Sequence, residues 1–151
     1  MPRWRIPRGR AAVPQPGDSV WWSLPFRGAP ARVKELTGGY PMLLRNGESV
    51  LGRFDDMIPG FSVKEHPRTA VALRPDGTVL LVAVDGRSES SGGMSLPQLT
   101  DFLKALGATD ALNLDGGGST VLALDGQVVS HPSDKEGERP VSTALLVLGP
   151  K

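Results

Sequence analysis

Hydrophobic residues come in short runs broken by turn-forming residues, and this punctuation reads as strands joined by tight turns. Pro14–Asp18 is turn material ahead of a strand-like run, Ser19–Leu24, and Ala31–Leu36 alternates weakly. Gly38-Gly39-Tyr40-Pro41 makes a turn, after which Met42–Arg45 leads into Asn46-Gly47, a pair suited to a two-residue hairpin. Residues 52–66 read as an irregular loop. Thr69–Arg74 and Thr78–Val84 flank Pro75-Asp76-Gly77 and predict a second hairpin. Residues 85–94 form a polar, flexible loop. One helix is predicted: Ser95 caps it, Pro97 lies in its first turn, and Leu96, Leu99, Phe102, Leu103 and Leu106 make an apolar stripe that stops at Gly107. The short run Ala111–Leu114 opens onto Asp115-Gly116-Gly117-Gly118-Ser119. A third hairpin, Thr120–Leu124 with Gln127–Ser130, turns at Asp125-Gly126. The polar loop His131–Pro140 precedes a last strand, Thr143–Leu148. Many short strands with one clear helix predict an α+β fold, a mixed, largely antiparallel sheet with one or two helices packed on it.

Composition narrows the classes. A chain of 151 residues fits a single domain, 1–151. With 19 Gly and 14 Pro it cannot be a helix bundle or coiled coil. No apolar run approaches the roughly 20 residues of a membrane-spanning helix, so the chain is not expected to be transmembrane. The absence of cysteine excludes disulfides, thiolate metal sites and a cysteine nucleophile. Residues 1–40 hold seven Lys/Arg against two Asp/Glu, and four of those arginines fall in the first ten residues. Residues 1–15 read as a frayed basic arm; no recognition motif follows it, so nucleic acid is not an expected partner. Nor does an apolar segment follow, so the arm is not a secretory signal peptide, and no compartment is assigned.

Chemistry is expected in the loops at 85–93, 115–119 and 131–140. Three glycines in a row let the backbone turn its N–H groups inward as an anion-binding nest, or simply permit a tight turn. The loop is neither a dinucleotide fingerprint nor a P-loop, because the required glycine spacing and the Gly-Lys-Ser/Thr ending are missing. Asp115 opens it directly after an apolar run, which would hold the carboxylate in place. Arg68, Arg87 and Arg139 each sit at a strand edge or in a loop. Singly they are surface charges; converging, they would form a phosphate pocket. Asp134, Glu136 and Glu138 offer carboxylates for acid–base work, or merely solvate a polar loop. His66 and His131 each precede proline and are either structural groups or general acids near neutral pH.

Four motifs occur in order: His66-Pro67-Arg68-Thr69-Ala70, Val84-Asp85-Gly86-Arg87, Asn113 through Ser119, and Gly137-Glu138-Arg139-Pro140-Val141-Ser142. With Gly93-Met94-Ser95-Leu96 between them, the set closely resembles the phosphodiester glycosidase domain family. Residues 66–148 carry the likeness, Gly38-Gly39-Tyr40-Pro41 resembles the family's Gly-Gly-x-Pro segment, and residues 6–36 match in outline. The family's upstream Asn-x-Gly-Phe-Phe-like segment has no counterpart, so the chain is expected to be the C-terminal two-thirds of the domain. The resemblance implies hydrolysis of a sugar-1-phosphodiester. Arg68, Arg87 and Arg139 would hold the phosphate with Gly116, Gly117, Gly118 and Ser119. Asp115 and Glu138 would be catalytic, with Asp85, His66 and His131 in support. No cofactor is required; a divalent cation would be held, if at all, at Asp115. The expected partner is a sugar-phosphate or glycan, a homo-oligomer is allowed for, and family members in bacteria are often exported. The alternatives are a non-catalytic sugar-phosphate or envelope-glycan binding module, or an inactive fragment of the enzyme.

Overall fold

The structure is a computed structural model and describes residues 36–53 and 60–149. The expected strand Ser19–Leu24, all but Leu36 of Ala31–Leu36, and the basic arm lie outside the described residues. Seven strands appear in chain order: β1 (Met42–Arg45), β2 (Glu48–Ser49), β3 (Arg68–Leu73), β4 (Val79–Val84), β5 (Asp110–Asn113), β6 (Ala123–Leu124) and β7 (Gln127–Val128). One α-helix, α1 (Leu96–Ala105), lies between β4 and β5, and single 3-10 turns cover Leu51–Arg53 and Gly117–Ser119. The main sheet has the order β2-β1-β5-β3-β4, and β6 and β7 form a separate ribbon. All these pairings are antiparallel. The fold is α+β.

The hairpins follow from their turns. Asn46 and Gly47 both adopt positive φ, 51° and 80°, as do Asp125 and Gly126, 49° and 76°. That is the geometry whose twist matches paired strands. At Pro75–Gly77 the Asp76 carboxylate accepts the Thr78 N–H at 2.9 Å and closes the turn. The helix begins where Ser95 accepts the Gln98 N–H at 3.4 Å while the Gln98 side chain accepts the Ser95 N–H at 2.7 Å, a reciprocal capping box. Gly107, at φ 83°, ends it. The expected apolar stripe needs one adjustment. Phe102 is partly exposed, and Thr100 is buried in its place with its hydroxyl on the Leu96 carbonyl at 2.8 Å.

Leu96, Leu99 and Leu103 of α1 pack on Leu43, Leu44, Ala70, Ala72 and Ala111 of the sheet. Small residues on β3 and β5 let the helix approach closely. Residues 85–94 form the expected polar loop, with bonds of its own: Ser88 N–H donates to the Ser91 carbonyl at 3.0 Å, and the Ser91 hydroxyl to the Asp85 carbonyl at 2.7 Å. One expectation is corrected. Thr143–Leu148 forms no strand, and Leu146, Val147 and Leu148 are about four-fifths exposed. Apolar character alone does not make a strand, because the backbone also needs a partner edge.

Candidate active site

Because β5 runs antiparallel to both β1 and β3, its C-terminal end meets the starts of its neighbours: Met42 faces Leu112, and Ala70 faces Asn113. The end of β4 is there too, with Val84 opposite Arg68. Four strand ends thus deliver Gly38–Pro41, His66–Arg68, Asp85–Arg87 and the 114–117 turn to one edge of the sheet. Between them lies an open cleft of about 480 Å³, lined by residues that include Tyr40, His66, Arg68, Arg87, Asn113 and Asp115. Gly39 must be glycine, since a Cβ there would lie 2.5 Å from the Asn113 carbonyl oxygen. Buried Asn113 ties the edge together, its amide donating to the Tyr40 carbonyl at 2.7 Å and the Leu114 carbonyl at 2.9 Å. Its Oδ1 has no hydrogen-bond partner among the described residues. Neither Asn113 nor Tyr40 stood among the expected site residues. The signal for Asn113 was a polar residue at an inward position of an apolar strand.

Alternation along β3 places Arg68 on the same face as Ala70 and Ala72, beneath the helix. It is 3% exposed. Its Nε donates to the Met94 carbonyl at 2.9 Å, and Nη2 donates to the Lys64 carbonyl at 2.8 Å and the Phe61 carbonyl at 3.3 Å. The guanidinium also lies 5.2 Å from the centre of the Phe61 ring. Nη1 takes no part in these bonds, and among the described residues no carboxylate pairs with Arg68. Burial, with Arg87 nearby, lowers its affinity for its proton. A buried guanidinium left without a counter-charge is costly until an anion supplies one.

Arg87 is held at φ +57°, a left-handed conformation uncommon for a non-glycine residue. This aims its guanidinium over Gly117, where a Cβ would lie 3.1 Å from Nη2. The same Nη2 lies 3.3 Å from Nδ1 of His66. Burial, then Arg68, Arg87 and Lys64, hold His66 below the ordinary imidazole range, which favours the neutral ring.

The glycine loop is a tight turn more than an anion nest. Gly116 N–H donates to the Asp115 carboxylate at 2.9 Å and Gly117 N–H to the Pro67 carbonyl at 2.9 Å. Ser119 N–H donates to the Gly116 carbonyl, leaving Gly118 N–H as the loop donor without an acceptor among the described residues. Gly118 is buried against Arg139 and Asp134. Arg139 donates through Nε and Nη2 to the two oxygens of Asp134, at 2.6 and 2.8 Å, and is not among the residues lining the cleft. The hydrogen bonds from Arg139 hold the Asp134 carboxyl below its usual range. Arg139 is thus paired with a carboxylate while its guanidinium lies against Gly118 of the glycine loop. Asp85 receives the His131 backbone N–H at 3.0 Å and its Nδ1 at 2.7 Å. Burial raises the Asp85 carboxyl, but these bonds outweigh it and leave the group below its ordinary value. Glu138 is exposed and lies outside the cleft, so Asp115 is the one carboxylate among the lining residues. Among the described residues no group of three or more His, Asp or Glu side chains is placed to share a metal ion. No helix there is long and apolar enough to cross a membrane.

The profile of the phosphodiester glycosidase family matches residues 8–148. The chain belongs to the phosphodiester glycosidase family. Within it, the chain is 31% identical over 137 residues to N-acetylglucosamine-1-phosphodiester α-N-acetylglucosaminidase of Mus musculus, covering 78% of this chain and 26% of the mouse protein. It is 37% identical over 86 residues to an uncharacterised SPβ prophage-derived protein of Bacillus subtilis, covering 57% of this chain and 13% of that one. The chain thus spans about a quarter or less of the length of these relatives. Among solved structures it is similar to the catalytic domain of the zebrafish N-acetylglucosaminidase, with a TM-score of 0.59 and 33% identity over 69% of this chain and 36% of that chain. It is also similar to a hypothetical protein from Synechocystis, with a TM-score of 0.56 and 37% identity over 64% of this chain and 18% of that one.

Proposed function

We propose that this chain carries the phosphate-holding site of a hydrolase that cleaves sugar-1-phosphodiesters between the anomeric carbon and its oxygen. Water adds at that carbon, and the products are a free sugar and a phosphate monoester. Arg68 supports this reading most directly: a buried guanidinium at the cleft, with Nη1 uncommitted and no carboxylate partner among the described residues. Arg87 stands beside it. As the glycosidic bond breaks, charge gathers on the phosphate, and fixed cations stabilise that state more than the intact diester. Asp115 is positioned to activate water or to stabilise positive charge at the anomeric carbon.

The experiment is incubation of the purified chain with a sugar-1-phosphodiester, followed by phosphorus NMR and a reducing-sugar assay. Conversion of diester to monoester with matching sugar release is the expected result; an unchanged diester overturns the hydrolase reading. A second reading has its own observation. Glycosidases commonly use two carboxylates, and the described lining residues supply one, Asp115. A non-catalytic sugar-phosphate binding module would bind the diester and leave it intact.

A further inference from the structure

The two histidines present opposite tautomers. His131 points Nδ1 at a carboxylate oxygen of Asp85, so that nitrogen carries the proton. His66 points Nδ1 at Nη2 of Arg87, 3.3 Å away. A guanidinium has no acceptor to offer, so Nδ1 of His66 must be the bare nitrogen and Nε2 must carry the hydrogen. That N–H has no acceptor among the described residues, and the ring lines the cleft.

The backbone that carries the ring is held in place. His66 N–H donates to the Met94 carbonyl at 3.2 Å, and Met94 N–H returns to the His66 carbonyl at 3.0 Å. Gly93, at φ +100°, lies so close that a Cβ would collide with the His66 backbone. The charged groups around the ring are Lys64, Arg68 and Arg87 as cations, with Asp115 on the same cleft. Three cations oppose protonation of the ring and attract an anion to its side.

We propose that His66 is a substrate-contacting residue: a neutral imidazole whose Nε2–H donates a hydrogen bond to a phosphate oxygen of the bound diester, with Arg87 fixing the tautomer. This rests on the reading of the cleft as a sugar-1-phosphodiester site. The imidazole keeps its proton throughout. Its bond strengthens as the departing phosphate gains its second negative charge, so its contribution falls on the chemical step more than on binding.

The test uses the full chain, a sugar-1-phosphodiester and two substitutions. His66→Asn keeps an acceptor near the place of Nδ1 and has no donor at Nε2; His66→Gln can bring an amide donor to the place of Nε2. In the parent, nitrogen NMR at neutral pH should show a bare Nδ1 and a protonated Nε2, and added diester should shift Nε2 saturably. His66→Asn should lower kcat about 100-fold with KM changed by less than about threefold, as for removal of one transition-state donor, and His66→Gln should recover to within about tenfold of the parent. A protonated Nδ1, an Nε2 signal unmoved by bound diester, or full kcat in His66→Asn each overturns the proposal while leaving the hydrolase reading standing. Diester that shifts Nε2 but is never cleaved supports the contact and overturns the hydrolase reading. Diester that does not bind overturns both.

Discussion

Asp115 lies on the cleft with one carboxylate oxygen tied to the Gly116 N–H at 2.9 Å. Asn at this position keeps that acceptor and removes the charge. Asp115→Asn should therefore leave the thermal unfolding midpoint nearly unchanged and lower turnover of a sugar-1-phosphodiester at least about 100-fold, the usual scale for an acid–base group. Full turnover in a folded variant would remove Asp115 from the chemistry. Acid stability is argued at the same scale. The Asp85 carboxyl titrates below its ordinary value in the fold because of its bonds from His131. Its stabilising contribution is therefore complete above the unfolded value near 3.9 and is lost as pH falls through the lower, folded value. His66 is likewise lowered, so the unfolded chain takes up its proton first, and stability falls as pH drops below about 6.5. Asp85→Asn should flatten the acid limb below about pH 4 and leave the His66 limb in place, as read by denaturant melts across pH.

At the level of elements, the helix cap and the core are separable. Ser95→Ala removes one half of the capping box and should cost about 1 kcal/mol, whereas Leu99→Ala opens a cavity under the helix and should cost about 2–5 kcal/mol. Equal losses in denaturant unfolding would contradict this order. These elements were legible from the sequence because their determinants are local. Asn46-Gly47 and Asp125-Gly126 set their turns by positive φ, Pro75-Asp76-Gly77 adds the Asp76 carboxylate on the Thr78 N–H, and Ser95 with Gln98 marks the helix start. Thr143–Leu148 was misread because pairing depends on a partner edge that no local pattern encodes. The cleft was partly legible. Arg68, Arg87 and Asp115 could be named from residue type and position, but whether a guanidinium meets a carboxylate is a matter of tertiary placement. That placement engaged Arg139 with Asp134 and left Arg68 unpaired among the described residues.

At the largest scale, the described residues expose much apolar surface. Leu146, Val147 and Leu148 are about four-fifths exposed, and Val79 and Leu81 show on the edge strand β4. Exposed runs of this kind associate, and an unpaired sheet edge offers backbone donors and acceptors to a second chain. The purified chain should self-associate with rising concentration in sedimentation velocity. Leu146→Lys together with Leu148→Lys should shift it toward monomer; a wild-type chain that remains monomeric throughout would contradict the expectation.

The place of β5 has a kinetic consequence. It is the middle strand of the main sheet yet, among its strands, the last in sequence, pairing back to β1 and to β3. The sheet cannot close around its centre until loops of some tens of residues have closed, and such distant pairing slows folding. A chain emerging from the ribosome can form the β1–β2 and β3–β4 hairpins early. It gains the cleft only once Asn113 and Asp115 have emerged and docked between them, so the site should form in the same cooperative step as the sheet.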